Sequence, residues 1–98
     1  MYSMHDLLQL LNSDGGDELR LFVGAPPVLV LDGAEQTLEN PPLDHHRLEE
    51  YLQEIASSRQ RRELRQRGLV QFLYRFPETT SFIVRVQLHG SELSIRVF

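Results

Sequence analysis

Residues 15–33, GGDELRLFVGAPPVLVLDG, restrict the fold of this chain more than any other run. Leu19, Leu21 and Val23 alternate with Glu18, Arg20 and Phe22, the period of a strand with one buried face. Gly24 allows a bend that a side chain would resist. Pro26-Pro27 fixes two φ angles and withdraws two backbone donors, so neither a helix nor an unbroken strand can run through this point. Val28–Leu31 is continuously apolar, as expected of a well-covered strand. Asp32-Gly33 suits the positive φ angles of a tight hairpin turn, with residues 34–38 as the returning strand.

Helical periods flank this strand region. Ser3 is a good N-cap with Asp6 in a capping-box position, and Met4, Leu7, Leu8 and Leu11 fall on one face of the helix that follows. The run Asn12-Ser13-Asp14-Gly15-Gly16 ends it. After the rigid Asn40-Pro41-Pro42 connector, Asp44 caps a second helix with an apolar stripe of Leu48, Tyr51, Leu52 and Ile55. Ser57 or Ser58 caps a short third helix that Gly68 terminates. The remainder has a period of two. Val70, Phe72, Tyr74 and Phe76 line one strand, Phe82, Val84, Val86 and Leu88 the next, and Leu93, Ile95 and Val97 the last. Turns are expected at Pro77-Glu78-Thr79-Thr80 and His89-Gly90-Ser91. Phe98 follows on the face opposite Val97, which suggests either a domain cut from a longer protein or an edge that another chain completes.

The order of helix, strands, two helices and three strands predicts a single α+β domain over residues 1–98. Its mostly antiparallel sheet has about five to six strands, with the helices packed on one face. The charge is −4, from 14 acidic and 10 basic residues, which argues against a nucleic-acid or membrane-surface binder. Every basic residue is an arginine. A standard Walker A phosphate loop and Schiff-base chemistry both need a lysine and are excluded. With no cysteine there is no disulfide, thiolate nucleophile or cysteine metal site. No apolar run approaches a membrane span, and residues 1–12 lack a signal-peptide pattern, so no direct membrane insertion is expected.

Few residues suggest chemistry. His45 and His46 are adjacent near a helix start and point about 100° apart, which suits solvated side chains better than a shared metal. His89 sits beside Gly90 as a turn residue. No catalytic residues and no metal ligands stand out. The arginines are more informative. Arg75, Arg85 and Arg96 alternate with the apolar positions, as Arg20 does on the first strand, so all four project from the sheet face away from the helices. If their strands are neighbours, several guanidiniums share a surface suited to phosphates or carboxylates. The competing reading is a solvated face neutralised by Glu18, Glu35 and Glu92. Arg59, Arg61, Arg62, Arg65 and Arg67 crowd the third helix, which meets either an acidic partner surface or solvent. Base-reading partners for nucleic acid are lacking.

The motif at residues 15–33 resembles the N-terminal domain of the type IV pilus retraction ATPases (PilT type) and related type II secretion ATPases. There, a Ser-Asp-Leu-His-Leu strand runs into Gly-x-Pro-Pro and then a strand ending in Asp-Gly. The matching residues here are Asp17-Glu18-Leu19-Arg20-Leu21, then Gly24, Pro26 and Pro27, then Asp32 and Gly33, with the spacing kept. Arg20 replaces the usual histidine and Val30 stands where an arginine is common. Residues 59–64 resemble the family's Gln-Arg helix, and Val84-Arg85-Val86-Gln87 its Phe-Arg-Val-Asn.

The resemblance implies a PAS-like sheet with flanking helices and no ATPase domain within these residues. It implies a non-catalytic assembly module that binds no cofactor itself and docks on the ATPase domain of a neighbouring subunit in a homo-oligomeric, hexameric ring. It also implies a bacterial, cytoplasmic setting, at an inner-membrane pilus of twitching motility or a secretion machine. Arg85 and Arg96 match positions from which this family can reach nucleotide phosphates, although Ile83 stands where another arginine is frequent. Arg59, Arg61, Arg62 and Arg65 are candidate partner contacts. The alternative is a stand-alone PAS-like sensor or dimerisation domain with a small ligand between sheet and helices.

Overall fold

In a computed structural model, the described residues, 2–76 and 80–98, form three helices and six strands. Their order is α1 (Met4–Ser13), β1 (Glu18–Phe22), β2 (Val28–Leu31), β3 (Ala34–Thr37), α2 (His45–Ile55), α3 (Ser58–Arg67), β4 (Leu69–Arg75), β5 (Ser81–His89) and β6 (Glu92–Val97). The turn predicted at Pro77, Glu78, Thr79 and Thr80 lies, except for Thr80, outside the described residues.

Local chemistry sets the helix ends. The Asp6 N–H donates to Ser3 Oγ (3.0 Å), and the Ser3 N–H donates to the Asp6 carboxylate (3.1 Å). Orphan donors at the start of α1 are thereby satisfied. Ser57 and Gln60 repeat this box on α3, which settles Ser57 as the cap, and Asp44 accepts from the Arg47 N–H at the start of α2. Gly68 ends α3 at a φ of 76°.

The sheet order is β3-β2-β1-β6-β5-β4, with each neighbouring pair antiparallel. Two sequence-local units therefore meet at one seam. The β1–β2–β3 unit joins the β4–β5–β6 meander where Leu19 faces Val97 and Leu21 faces Ile95. β6 thus lies inside the sheet, which corrects the reading of Phe98 as part of an edge awaiting another chain. Phe98 extends the ladder, exchanging both backbone hydrogen bonds with Ile83 (2.9 and 2.7 Å).

The helices cover one face only. Leu7, Leu8 and Leu11 of α1, Leu48, Tyr51 and Leu52 of α2, and Leu64 of α3 form one core with Leu19, Leu21, Leu29, Val84, Val86, Leu93, Ile95 and Val97 of the sheet. Each fully buried aliphatic side chain contributes about 1.5–3 kcal/mol. Phe72 and Tyr74, predicted on this inner face, lie there half-buried because β4 is an edge strand; Phe76, just beyond β4, and Leu88, near the end of β5, are half-buried as well. β2 is less fully covered than its apolar run suggested, with Val28 and Leu31 half-buried.

Candidate functional site

The face of the sheet away from the helices is open, and the register brings three arginines into one row across it. Arg20 faces Arg96, and Arg96 faces Arg85 on the next strand. Val28 and Gln71 continue the row on either side. Like charges directly opposite on neighbouring strands repel, so the row requires compensation. Glu18 supplies much of it: one carboxylate oxygen lies 3.1 Å from Arg20 Nε and 3.8 Å from Arg96 Nε. Glu35 on β3 accepts from Arg20 Nη1. The Glu18 hydrogen bond, ahead of the Glu35 contact, raises the pKa of Arg20 above the usual arginine value. Glu92, expected to share this task, instead faces His89 at the end of β5.

Arg85 and Arg96 are held differently from Arg20. Arg85 donates from Nε to Gln71 Oε1 (3.0 Å), and its guanidinium lies 5.4 Å from the centre of the Phe98 ring. Arg96 lies 5.6 Å from the Phe22 ring. Rings beneath a guanidinium orient it while leaving its N–H groups free toward solvent. The surface so formed can receive a carboxylate or a phosphate. Arg75 is on the same face but pairs with Ser81, four residues beyond Gln71 and so about 13 Å along the strand. It does not join the cluster.

Beside the charged row lies an apolar one. Phe98, Ile83 and Leu73 face one another across β6, β5 and β4. Among the described residues the exposed large hydrophobics are Leu69, Leu73 and Phe98, all on this open face or its edge. The arginines of α3 are elsewhere: with Leu64 turned into the core, Arg59, Arg61, Arg62 and Arg65 belong to the helix-covered side, separated from the row by the sheet. Arg61 donates to Ser58 Oγ (3.1 Å) and Arg67 lies 3.9 Å from Glu63.

The Gly-x-Pro-Pro corner and Asp-Gly turn form as the sequence predicts. Gly24 has a φ of 88°, its N–H donates to the Leu43 carbonyl (2.8 Å), and the Leu43 N–H returns a bond to Ala25 (2.9 Å). The corner is thus tied to the connector before α2. Asp32 and Gly33 have φ angles of 49° and 78°, and the Gly33 N–H donates to the Asp17 carboxylate (3.3 Å). That role of Asp17 is missed by pattern reading, since nothing in the spacing places it beside the turn.

A second tie also escaped the sequence. The Tyr2 carbonyl accepts from both the Tyr51 hydroxyl (2.6 Å) and Arg47 Nη2 (2.9 Å), with the Arg47 guanidinium 4.9 Å from the Tyr51 ring centre. Hydrogen bonding with Tyr51 is the main influence raising the Arg47 pKa.

His45 and His46 each reach back to a glutamate one turn on, Glu49 at 3.3 Å and Glu50 at 3.8 Å, rather than toward each other. No group of three or more His, Cys, Asp or Glu among the described residues is placed to hold a metal ion. The hollows on the molecule are open at the surface. One of about 560 Å³ is lined by Tyr2, Asp6, Gln9, Leu10 and Glu39, and smaller ones near His46 and near Tyr74 measure about 220 and 200 Å³. None of the described helices is long and apolar enough to cross a membrane.

No family model matches the chain. The type IV pilus retraction ATPase PilT of Pseudomonas aeruginosa is 27% identical over 79 residues, which cover 81% of this chain and 23% of that protein. A crystal structure of the pilus retraction motor PilT with bound ADP matches 99% of this chain and 29% of that one, at a TM-score of 0.85 and 18% identity. The X-ray structure of the Legionella pneumophila ATPase DotB matches 98% and 28%, at a TM-score of 0.79 and 16% identity. The chain therefore spans less than a third of the length of the proteins it matches. With the Gly-x-Pro-Pro corner and Asp-Gly turn in place on a six-stranded antiparallel α+β fold, this chain resembles the N-terminal domain of the pilus retraction ATPase PilT in sequence and shares the fold found in PilT and DotB.

Proposed function

We propose that this chain is a non-catalytic assembly module, and that its open sheet face docks on the ATPase domain of a neighbouring subunit in a type IV pilus or type II secretion motor. The observation that carries the reading is the division of the sheet. One face is filled by three helices; the other is left open, with a guanidinium row beside an apolar row. A face of this kind suits a partner whose carboxylates or bound phosphates meet Arg85 and Arg96 while an apolar patch covers Ile83, Leu73 and Phe98. The arginines of α3 offer a second contact region on the other side of the sheet. In this reading the chain contributes a packing surface to a homo-oligomeric ring in the cytoplasm, beneath an inner-membrane pilus or secretion machine. The chemistry of hydrolysis resides in the other domain.

The sequence similarity to PilT supports the choice of partner. The filled core favours docking over small-molecule sensing, because Leu, Val, Ile and Tyr side chains occupy the layer where a sensor ligand would lie.

The test mixes this chain with the separately purified ATPase domain of a pilus-retraction ATPase and measures binding with and without nucleotide. Binding is expected, with at least about a tenfold loss when Arg85 and Arg96 are both changed to alanine, the effect of removing two charge-assisted contacts. The chain alone is expected to hydrolyse no ATP. Turnover by the purified chain that disappears on substituting one of its own residues would overturn the assignment, as would binding indifferent to both arginines.

A further inference from the structure

We infer that the free edge of β4 accepts an extended, acidic segment of a partner protein as a seventh strand of the sheet. The inference goes beyond the docking face proposed above, since it concerns the edge and the helix over it, and it does not require the partner to be an ATPase.

The backbone register defines what the edge offers. The Leu88 N–H donates to the Gly68 carbonyl (2.9 Å), and the Phe76 N–H donates to the Thr80 carbonyl. These contacts bracket β4 and fix the alternation between them. Val70, Phe72 and Tyr74 bond toward β5, whereas Leu69, Gln71, Leu73 and Arg75 turn their N–H and C=O groups outward, where no strand lies. Much of the edge is unguarded. The strand has seven residues with no proline, its one charged residue, Arg75, stands at its end, and its register runs without a bulge from Leu69 opposite Gln87 to Arg75 opposite Ser81. Leu73 is 71% exposed and Leu69 45%, both on the open face. On the other face Phe72 and Tyr74 are only half-buried.

Charge selects the occupant. α3 packs on β4 and, less extensively, on β5, so it forms a shelf over this edge. Arg59, Arg62 and Arg65 are exposed on this helix, and among the described residues none has a carboxylate within ion-pair distance; Arg67 has Glu63 at 3.9 Å. This concentration of cations stands out on a chain of net charge −4. Pairing β4 with β4 of a second copy would bring two such shelves together, and like charges oppose that arrangement. The opposite edge, β3, carries Glu35, but it has only four residues and Glu35 already binds Arg20. A separate strand satisfies both demands if it alternates: apolar side chains beside Leu69 and Leu73, carboxylates on the side of α3.

The test uses the whole 98-residue chain and a short synthetic peptide alternating valine and glutamate, with a valine–lysine peptide as control. The acidic peptide is expected to bind and to slow amide hydrogen exchange at Leu69, Gln71, Leu73 and Arg75 while leaving Ala34–Thr37 unchanged. Binding should weaken in about 1 M salt, where the Debye length falls to about 3 Å. The double variant Arg59→Glu, Arg62→Glu alters only exposed helix positions and should raise Kd at least about tenfold. Gln71→Pro deletes one outward donor at an edge position and should do the same. Equal binding of the lysine peptide, protection mapped to the open face instead of β4, or no binding would each overturn the inference. So would sedimentation showing that the edge is taken up by self-association. Loss of ATPase-domain binding with peptide binding intact would count against the docking proposal alone.

Discussion

Tyr51→Phe isolates one hydrogen bond at the knot that fastens the start of α1 to α2. Tyr51 is 1% exposed, and its hydroxyl donates to the Tyr2 carbonyl at 2.6 Å. The substitution removes one oxygen and leaves the ring, its packing and the nearby Arg47 guanidinium in place. The carbonyl is not orphaned, because Arg47 Nη2 still donates to it at 2.9 Å. The loss is therefore that of a made hydrogen bond without the desolvation penalty of a stranded acceptor, about 0.5–1.5 kcal/mol. For a 98-residue chain the unfolding entropy is about 0.2 kcal/mol/K, so Tm should fall by about 3–7 °C. Truncation to alanine, which also empties the ring's place in the core, should cost about 3–5 kcal/mol. Urea unfolding followed by far-UV circular dichroism, with thermal melts of the same proteins, reads both. The tie is purely local if Tyr51→Phe leaves the urea dependence m unchanged. A Tyr51→Phe loss as large as that of the alanine variant would refute the reasoning, since it would mean that Arg47 does not hold the carbonyl alone; an unchanged or raised Tm would refute it from the other side.

Two further perturbations address the turn and the first helix. Gly33→Ala places a Cβ in open space but at a φ of 78°, so the cost is backbone strain of about 1–2 kcal/mol, readable as a lowered urea midpoint; a neutral result would show that the turn relaxes into another type. Asp6 has its pKa lowered below 3.8, chiefly by the Ser3 backbone N–H. Its contribution to stability is therefore complete above the ordinary carboxylate range and fades as pH falls through that range toward the lowered value. Asp6→Asn should flatten the acid limb of the stability profile, and parallel profiles for the two proteins would sink the assignment.

What could be read from the sequence was what neighbouring residues decide among themselves. The box at Ser3 and the caps at Asp44 and Ser57 depend on side chains three positions from the backbone they satisfy, and the corner at Gly24 and the turn at Asp32-Gly33 on residues that adopt positive φ. Period-two alternation likewise assigned Arg20, Arg85 and Arg96 to the open face. It could not supply the β1–β6 seam, because pairing strands from opposite ends of the chain leaves no local trace. Yet the seam is what sets Arg20 opposite Arg96 and lets one glutamate, Glu18, serve both. The Arg47–Tyr51–Tyr2 knot was hidden for the same reason: its partners are a helix face and a carbonyl far away in sequence. Arg75 shows the converse limit, since sharing a face says nothing about position along the strand.

The seam also explains why the open face has an orientation. A two-layer α+β domain in isolation can scatter polar residues evenly over its uncovered side. Here pairing β1 with β6 aligns the charges in one row, and extension of the ladder to Phe98 places Ile83 and Leu73 beside them in another. The Phe98 ring of the apolar row lies against Arg85, so the two rows are coupled at that point, while Phe22, on the other side of the charged row and opposite Ser94, supports Arg96. A surface built this way distinguishes one approach of a partner from its reverse, because a carboxylate set over Leu73 would be desolvated without a cation to meet it. The docking proposed above requires such an orientation, which a solvated face does not.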